Sequence, residues 1–207
     1  METLLKRFPS LSACRHDIVA ARDLIIAAYT AGNKVLTCGN GGSAADAEHI
    51  VGELMKGFLR KRPLAEQERQ ALVAAGGTDG AYLAERLQKP LAALSLVASV
   101  SLATAFANDV APELTFAQQV YGVGTRGDVL LGISTSGSSK NVLYALVAAK
   151  ARGVTCIGLT GAAGGRMRDM CDVCIRVPAT MTPEIQELHL PVYHYLCAAV
   201  EAHFFDV

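Results

Sequence analysis

The chain has 207 residues, of which 51% are hydrophobic and 18% are charged, and its 19 Lys and Arg balance its 19 Asp and Glu. A neutral chain lacks the positive charge that nucleic acids and anionic membranes attract, so we expect neither as a partner. The length suits one domain with a large core. The apolar composition also leaves few polar residues to cover a surface, which indicates helices buried against sister subunits.

The amino-terminal residues 1–9 are mixed and charged, unlike a signal peptide, and no apolar run reaches transmembrane length. We therefore expect a cytoplasmic protein. The six cysteines are scattered through apolar segments, which is not the pattern of a disulfide framework. Cys171 and Cys174 have the spacing of a redox pair or zinc knuckle, but there is no second pair and we interpret them as packing residues.

The first predicted junction of interest follows a helix over 10–31 and a strand over 34–38. The strand ends in Gly39-Asn40-Gly41-Gly42-Ser43, where three glycines let the backbone approach a ligand closely. This loop does not fit the G-x-G-x-x-G dinucleotide pattern, and no acidic residue ends a following strand. The sequence therefore does not favour a nicotinamide cofactor.

The helix predicted over 43–58 carries His49 and Glu53, which are four residues apart and project from one face. A histidine and a carboxylate at this spacing can share a divalent metal or act as an acid/base pair. Such pairs are also common on solvated faces. The spacing alone leaves these three interpretations open.

Residues 59–90 form a polar segment that we predict to be a helical excursion or insertion on the surface. It contains a basic turn at 60–63, a polar helix over 65–75, a glycine-rich break at 76–80 and a short helix over 81–87. We interpret the basic turn as a solvated loop. The excursion would serve as a lid or as a subunit contact.

The centre of the chain contains the most hydroxyl-rich stretch. A buried strand over 129–133 ends in Ser134-Thr135-Ser136-Gly137-Ser138-Ser139, and a helix over 139–153 follows at once. Such a junction offers free backbone N–H groups, hydroxyls and the positive end of a helix dipole. An ordinary helix cap needs only one hydroxyl. The stretch therefore predicts a phosphate site.

The remaining elements alternate between strand and helix. We predict strands over 90–97, 154–159 and 173–177, and helices over 102–106, 113–122 and 182–204, with a break at Asn108-Asp109. This alternation predicts a parallel sheet with helices on both faces and ligands at the carboxyl ends of the strands. The last helix places Gln186 and His194 on one broad face, with His189 facing elsewhere, and Pro191 should kink it.

Six motifs in chain order carry a resemblance to the sugar isomerase (SIS) domain and, more narrowly, to phosphoheptose isomerases. They are Cys38 to Ser43, Asp46 to His49 with Glu53, Asn108-Asp109, Gly127 to Gly137 with Ser139, Thr160-Gly161, and Ile185 to His189 with His194. The resemblance implies one SIS domain over 1–207, a flavodoxin-like three-layer αβα sandwich with a five-stranded parallel sheet. It also implies a homotetramer with active sites between subunits.

The resemblance further implies an aldose-ketose isomerase that converts sedoheptulose 7-phosphate to D-glycero-D-manno-heptose 7-phosphate for heptose-bearing glycans. Such a reaction needs a base at C1, an acid/base for the oxygens and stabilisation of an enediolate. Glu53 is the implied base and His194 the implied acid. The implied ligands of one Zn²⁺ per subunit are His49, Glu53, Gln186 and His194. Because glutamine is an unusual zinc ligand, we expect weak or partial occupancy, and catalysis by Glu53 and His194 alone is an alternative.

The implied substrate contacts fall into two groups. Phosphate would bind to Ser134, Thr135, Ser136 and Ser139. The sugar chain would lie against Asn40, Gly41, Gly42, Ser43, Asn108, Asp109 and Gln186.

The sequence also departs from the family pattern. Many relatives have an arginine near the substrate after the His/Glu helix, where this chain has Met55 to Phe58 with Arg60 and Arg62 displaced. Three rival interpretations stay open. They are a non-catalytic SIS protein that binds a sugar phosphate or associates with the replication initiator, an isomerase of another sugar phosphate, and a plain structural α/β domain.

Overall fold

Five parallel strands form one sheet in the computed structural model, which describes residues 1–205. The strands are β1 (Val35–Cys38), β2 (Ala93–Ser95), β3 (Val129–Ile133), β4 (Thr155–Thr160) and β5 (Val173–Arg176). The helices are α1 (Glu2–Arg7), α2 (Arg15–Thr30), α3 (Gly42–Met55), α4 (Glu66–Arg86), α5 (Val100–Asp109), α6 (Thr115–Val123), α7 (Lys140–Arg152), α8 (Met167–Met170) and α9 (Thr182–Phe205). Short 3₁₀ helices cover Pro9–Cys14 and Pro112–Leu114.

The strand order is β2-β1-β3-β4-β5, and every pair is parallel. The predicted flavodoxin-like sheet is therefore confirmed. In the β1–β3 pair, Cys38 lies opposite Gly132. Since parallel strands share one carboxyl edge, this register brings the loops after β1 and β3 side by side.

Helices cover both faces of the sheet and create two apolar layers. Val129, Leu131 and Ile133 of β3 face the layer formed with α2, α3 and α9, whereas Leu130 faces the layer formed with α6, α7 and α8. This alternation follows from the two-residue period of a strand. The sheet thus fixes α3 and α9, which carry the predicted catalytic residues, on the same face.

The segment between α3 and β2 is one helical region folded at a glycine. Gly77 has φ +52°, which interrupts the helical backbone within α4. The second half returns against the first, because a side chain at Gly80 would run into the backbone of Leu72. Apart from Gly80 and Ala84, its residues are exposed or half-buried. The predicted pair of helices with a glycine break is confirmed, and its role as lid or subunit contact stays a prediction.

The prediction of a solvated basic turn is wrong for Arg62. Its side chain is 0% exposed and lies 2.8 Å from Oε1 of Glu201 on α9. Burial of a guanidinium needs such a partner. The partner lies far away in the chain, so the turn looks solvated from its sequence alone.

Three further expectations concern the cysteines, the membrane and the last helix. All six cysteines are free thiols. Within residues 1–205 no helix is both long and apolar enough to cross a bilayer. The helix α9 runs from Thr182 to Phe205 with Pro191 inside it, and the kink at Pro191 stays a prediction.

Candidate active site

The loop after β1 is held close to the start of α9. Gly41 has φ +57°, a conformation that glycine adopts at least cost. A Cβ atom on Gly42 would lie 2.6 Å from Nε2 of Gln186, so the missing side chain makes room for this amide. The structure therefore brings Gly42 and Gln186 together, as the family resemblance implied.

Asn40 in the same loop is linked to the start of α7. Its side chain exchanges two hydrogen bonds with Asn141, at 2.8 and 2.9 Å. Ser43 follows in the first turn of α3 and is 3% exposed. Asn141 was not among the predicted site residues. Its position in the first turn of α7, next to Ser139, is the only signal in the sequence that could have pointed to it.

The hydroxyls after β3 converge on one another. Ser134 Oγ lies 2.8 Å from Ser139 Oγ and 3.4 Å from Ser136 Oγ. Gly137 has φ +63°, and a Cβ there would run into the carbonyl oxygen of Gly164. The loop is therefore packed tightly against the chain that follows β4. Its hydroxyls and the free N–H groups of α7 form a concentrated donor site for an anion.

The loop after β4 joins this serine loop to α9. Gly161 donates its N–H to the carbonyl oxygen of Thr135 at 3.0 Å. A Cβ on Gly161 would also meet the side chain of Ile185, the neighbour of Gln186. The first turn of α9 thus lies against both the glycine loop and the serine loop.

His49 and Glu53 lie on one face of α3, as predicted. Nε2 of His49 is 3.2 Å from Oε1 of Glu53, and the second carboxylate oxygen of Glu53 accepts a hydrogen bond of 2.9 Å from Lys56 Nζ. The side chain of His49 is 42% exposed and that of Glu53 is 12% exposed. The carboxylate is therefore largely shielded from solvent and lies between the imidazole of His49 and the ammonium group of Lys56.

Tyr193 and Asp46 fix the other nitrogen of His49. The hydroxyl of Tyr193 donates to Asp46 Oδ1 at 3.1 Å, and its oxygen lies 3.1 Å from Nδ1 of His49. Because the phenolic proton points at Asp46, the oxygen accepts a hydrogen bond from Nδ1–H. This network assigns the Nδ1–H tautomer, so Nε2 presents a lone pair toward Glu53.

Burial shapes the charge states in this network. It raises the pKa of Tyr193, an effect that the neighbouring carboxylate of Asp46 reinforces. Burial also raises the pKa of Asp46, although the hydrogen bond from Tyr193 opposes this. Tyr193 is therefore a protonated donor throughout the neutral range.

His194 on α9 lies beside His49. Its ring centroid lies 5.1 Å from that of His49 and 5.5 Å from that of Phe58. Burial lowers the pKa of His194, and the proximity of His49 lowers it further. Its Nε2 is buried and has no hydrogen-bond partner within residues 1–205. A neutral imidazole with an unpaired nitrogen is suited to bind a ligand or to exchange a proton.

The donor set fits a zinc ion chemically. Two imidazole nitrogens, a carboxylate and an amide are available, and zinc takes nitrogen and carboxylate oxygen ligands. The lone pair of His49 Nε2 faces the carboxylate of Glu53, an arrangement that a cation or a proton between them would stabilise. Among the residues described, no three His, Cys, Asp or Glu side chains stand in ligand geometry already, so the zinc site stays a prediction.

Two predicted residues are not drawn into these contacts. Asn108 donates a hydrogen bond of 2.9 Å to Asp109, and both are exposed at the end of α5. Within residues 1–205 their side chains form no hydrogen bond with the other predicted site residues. Their contact with a sugar stays a prediction.

Sequence reasoning missed Tyr193 because it looks like a packing residue beside His194. It is 1% exposed, as expected of a core position. Its hydrogen-bond partner Asp46 is 147 residues away. The only hint was that Asp46 lies one helical turn before His49.

The chain is similar to known proteins over most of its length. Two family models, both described as SIS domain, match residues 66–196 and 3–89. The phosphoheptose isomerase of Rhodospirillum rubrum is 43% identical over 97% of this chain and 93% of its own length. The phosphoheptose isomerase 2 of Campylobacter jejuni is 44% identical over 87% of this chain and 77% of its own length. A solved phosphoheptose isomerase from Francisella tularensis superposes with TM-score 0.77 at 30% identity, covering 96% of this chain and 93% of that one.

Proposed function

Because the chain belongs to the SIS-domain family of phosphoheptose isomerases, we propose that it interconverts sedoheptulose 7-phosphate and D-glycero-D-manno-heptose 7-phosphate. It is a sugar-phosphate isomerase. The product would enter the synthesis of heptose-bearing glycans.

Glu53 is the base of the proposed reaction. It takes a proton from C1 of the ketose and returns it to C2, which moves the carbonyl to C1 through an enediolate. Lys56 Nζ lies 2.9 Å from Oε2 of Glu53 and orients its carboxylate. The low exposure of Glu53 limits loss of the proton to bulk water.

His194 is the proposed acid/base for the two reacting oxygens of the sugar, O1 and O2. The O1 hydroxyl loses a proton as the aldehyde forms, and O2 gains one as it becomes a hydroxyl. A neutral imidazole can accept one of these protons and donate the other. The lowered pKa of His194, caused by burial and then by His49, keeps it neutral at pH 7.

Zinc bound to His49, Glu53, Gln186 and His194 would polarise the carbonyl and stabilise the enediolate oxygens. This chain's own contribution is to orient its ligands. Tyr193 fixes the tautomer of His49, and the space left by Gly42 lets the amide of Gln186 approach. A hydrogen-bonded second nitrogen is the usual arrangement for a histidine that binds a metal.

The serine loop would hold the phosphate. Ser134, Thr135, Ser136 and Ser139 surround the amino end of α7, where hydroxyls and the helix dipole favour a dianion. Asn40, Gly41, Gly42, Ser43, Asn108 and Asp109 are the proposed contacts of the sugar chain. Such remote binding fixes C1 relative to the base.

One observation carries the proposal: Asp46, Tyr193 and His49 form a hydrogen-bonded series that directs Nε2 of His49 at the carboxylate of Glu53, beside His194. The test is NMR of the purified, metal-analysed protein with sedoheptulose 7-phosphate. Appearance of an aldoheptose 7-phosphate is the expected result. No turnover by the zinc-loaded protein would reject this substrate and point to another sugar phosphate, which a product assay on a panel of sugar phosphates would identify.

We also propose that the enzyme is a cytoplasmic homotetramer with active sites at subunit interfaces. Apolar side chains lie exposed on and beside α5 and α6, including Val100 at 67%, Val110 at 62% and Tyr121 at 60%. Such surfaces favour burial against another subunit. Light scattering at several concentrations would test the tetramer, and a monomer with full activity would refute it.

A further inference from the structure

Arg62 and Glu201 form a buried ion pair beside the active site. Their side chains are 0% and 1% exposed, and Arg62 Nε donates to Glu201 Oε1 at 2.8 Å. The guanidinium also lies over the ring of Phe205, 4.8 Å from its centroid. A pair buried this deeply needs every donor and acceptor satisfied. The remaining hydrogen-bond partners of the pair are backbone groups of residues 53–60.

Arg62 uses its two terminal nitrogens to hold the carboxyl end of α3. Nη1 donates to the carbonyl oxygen of Leu54 at 2.6 Å, and Nη2 donates to the carbonyl oxygen of Glu53 at 3.2 Å. The last carbonyls of a helix lack intrahelical partners. Arg62 thus fixes the backbone of the residue that we identify as the catalytic base.

Glu201 holds the chain that leaves α3. Its carboxylate accepts the N–H groups of three consecutive residues, Phe58, Leu59 and Arg60, at 2.8, 2.7 and 3.1 Å. The ring of Phe58 lies 5.5 Å from that of His194. Glu201 lies on the same helix as His194, two turns later. The same carboxylate therefore fixes one wall of the His194 environment.

These contacts connect the two helices that carry the reacting groups. Burial opposes ionisation of Glu201, but the Phe58 and Leu59 N–H groups and Arg62 lower its pKa. The carboxylate thus stays charged across the neutral range. Glu201 on α9 holds the chain that leaves α3, and Arg62 holds the carboxyl end of α3 itself. Together these contacts leave little freedom in the spacing between α3 and α9.

We propose that the Arg62–Glu201 pair is a positioning device that sets the geometry of Glu53 relative to His194. The pair acts through the Glu53 backbone and the Phe58 ring. This inference rests on the proposed roles of Glu53 and His194. A displacement of about 1 Å at a reacting group costs up to about a hundredfold in rate.

The chain offers a matched control for a purely stabilising pair. Asp128 is 1% exposed, lies 2.6 Å from Lys34 Nζ and accepts backbone N–H groups of Lys34 and Thr125. It lies just before β3, at the opposite edge of the sheet from the site. Glu201→Gln and Asp128→Asn remove the same charge from carboxylates that are both 1% exposed, and only the first lies between α3 and α9.

Both variants should melt at a lower temperature than the parent. Only Glu201→Gln should lower kcat, by about tenfold to a hundredfold, and its KM should change by less than about twofold. Assays run well below the melting temperature of each variant. Equal kcat values for the two variants would overturn the proposal. If Glu201→Gln does not fold, Arg62→Lys takes its place, because a lysine keeps the charge but cannot reach all three acceptors.

A second readout needs no turnover. The ring ¹⁵N and ¹H NMR signals of His49 and His194 should shift in Glu201→Gln and stay unchanged in Asp128→Asn. Unshifted rings would overturn the positioning role even in an active enzyme. If the parent turns over no sedoheptulose 7-phosphate but the rings shift, the proposed substrate fails and the positioning role stands.

Discussion

Tyr193 holds His49 through a hydrogen bond of 3.1 Å between its hydroxyl oxygen and Nδ1 of the imidazole. The direction of this bond follows from the second one, in which the same hydroxyl donates to Asp46. A single phenol therefore decides which nitrogen of His49 faces Glu53. The tautomer, and not only the presence of the histidine, is built into the site.

Tyr193→Phe should weaken zinc binding by about tenfold to a hundredfold, because an outer partner orients a metal-binding histidine. The measurement is chelator competition on the purified protein. Tyr195→Phe is the control, since Tyr195 lies on the same helix and its hydroxyl accepts a bond from Arg22 at 3.3 Å. Equal zinc affinity in the two variants would refute the orienting role of Tyr193.

Glu53→Gln should reduce kcat by about a hundredfold to ten-thousandfold, as expected for loss of a general base. Binding of inorganic phosphate, followed by ³¹P NMR, should be retained because the serine loop belongs to other elements. Glu48→Gln, an exposed neighbour on α3, should keep full activity. Retained turnover in Glu53→Gln would remove Glu53 as the base.

Ser139→Ala should raise KM for the sugar phosphate by about tenfold with a smaller change in kcat, because it removes one hydrogen bond to a charged group. The variant also breaks the contact of 2.8 Å with Ser134. Steady-state kinetics measure both constants. Ser138→Ala is the control within the same loop, since the Ser138 hydroxyl accepts the N–H of Arg166 instead. A larger effect at Ser138 would contradict the proposed phosphate site.

Stability should fall as the pH drops below neutrality, in part because of His189. This imidazole is 0% exposed, and burial lowers its pKa from 6.5 to about 4. Between these values the unfolded chain binds the proton and the folded protein does not. The contribution is therefore complete above pH 6.5 and is lost as the pH falls toward 4, at up to about 1.4 kcal/mol per pH unit.

The test compares melting temperatures between pH 7 and pH 4.5. His189→Gln should flatten the dependence, and His203→Gln, at an exposed position, should leave it unchanged. Because the pKa of His194 is also lowered by burial, some slope remains in His189→Gln. An unchanged slope in that variant would show that His189 does not carry the effect.

The parts of the site that follow from local sequence were predictable. The strands β1 and β3 are short apolar runs that end in glycine or serine clusters, so both their burial and their loops can be inferred from neighbouring residues. The His49–Glu53 pair follows from helical spacing. The family resemblance added the order of the motifs and hence the flavodoxin-like strand order.

The parts that depend on distant contacts were not predictable. Arg62 is buried because Glu201, 139 residues later, provides the opposite charge. Tyr193 reaches Asp46 across a comparable distance. Neither pairing leaves a pattern in the neighbouring sequence. In a basic turn, for example, the sequence around a buried arginine looks the same as that around a solvated one. Both pairings depend on how α9 packs against α3.

The β1–β3 pairing has a consequence for how activity appears during folding. The glycine and serine loops are neighbours only because Cys38 pairs with Gly132 across a long stretch of intervening chain, and such non-local pairing forms late. Helices form faster and from local contacts. On refolding from denaturant, the circular dichroism of the helices should therefore recover before turnover does, and the lag between the two reports when the central strands meet.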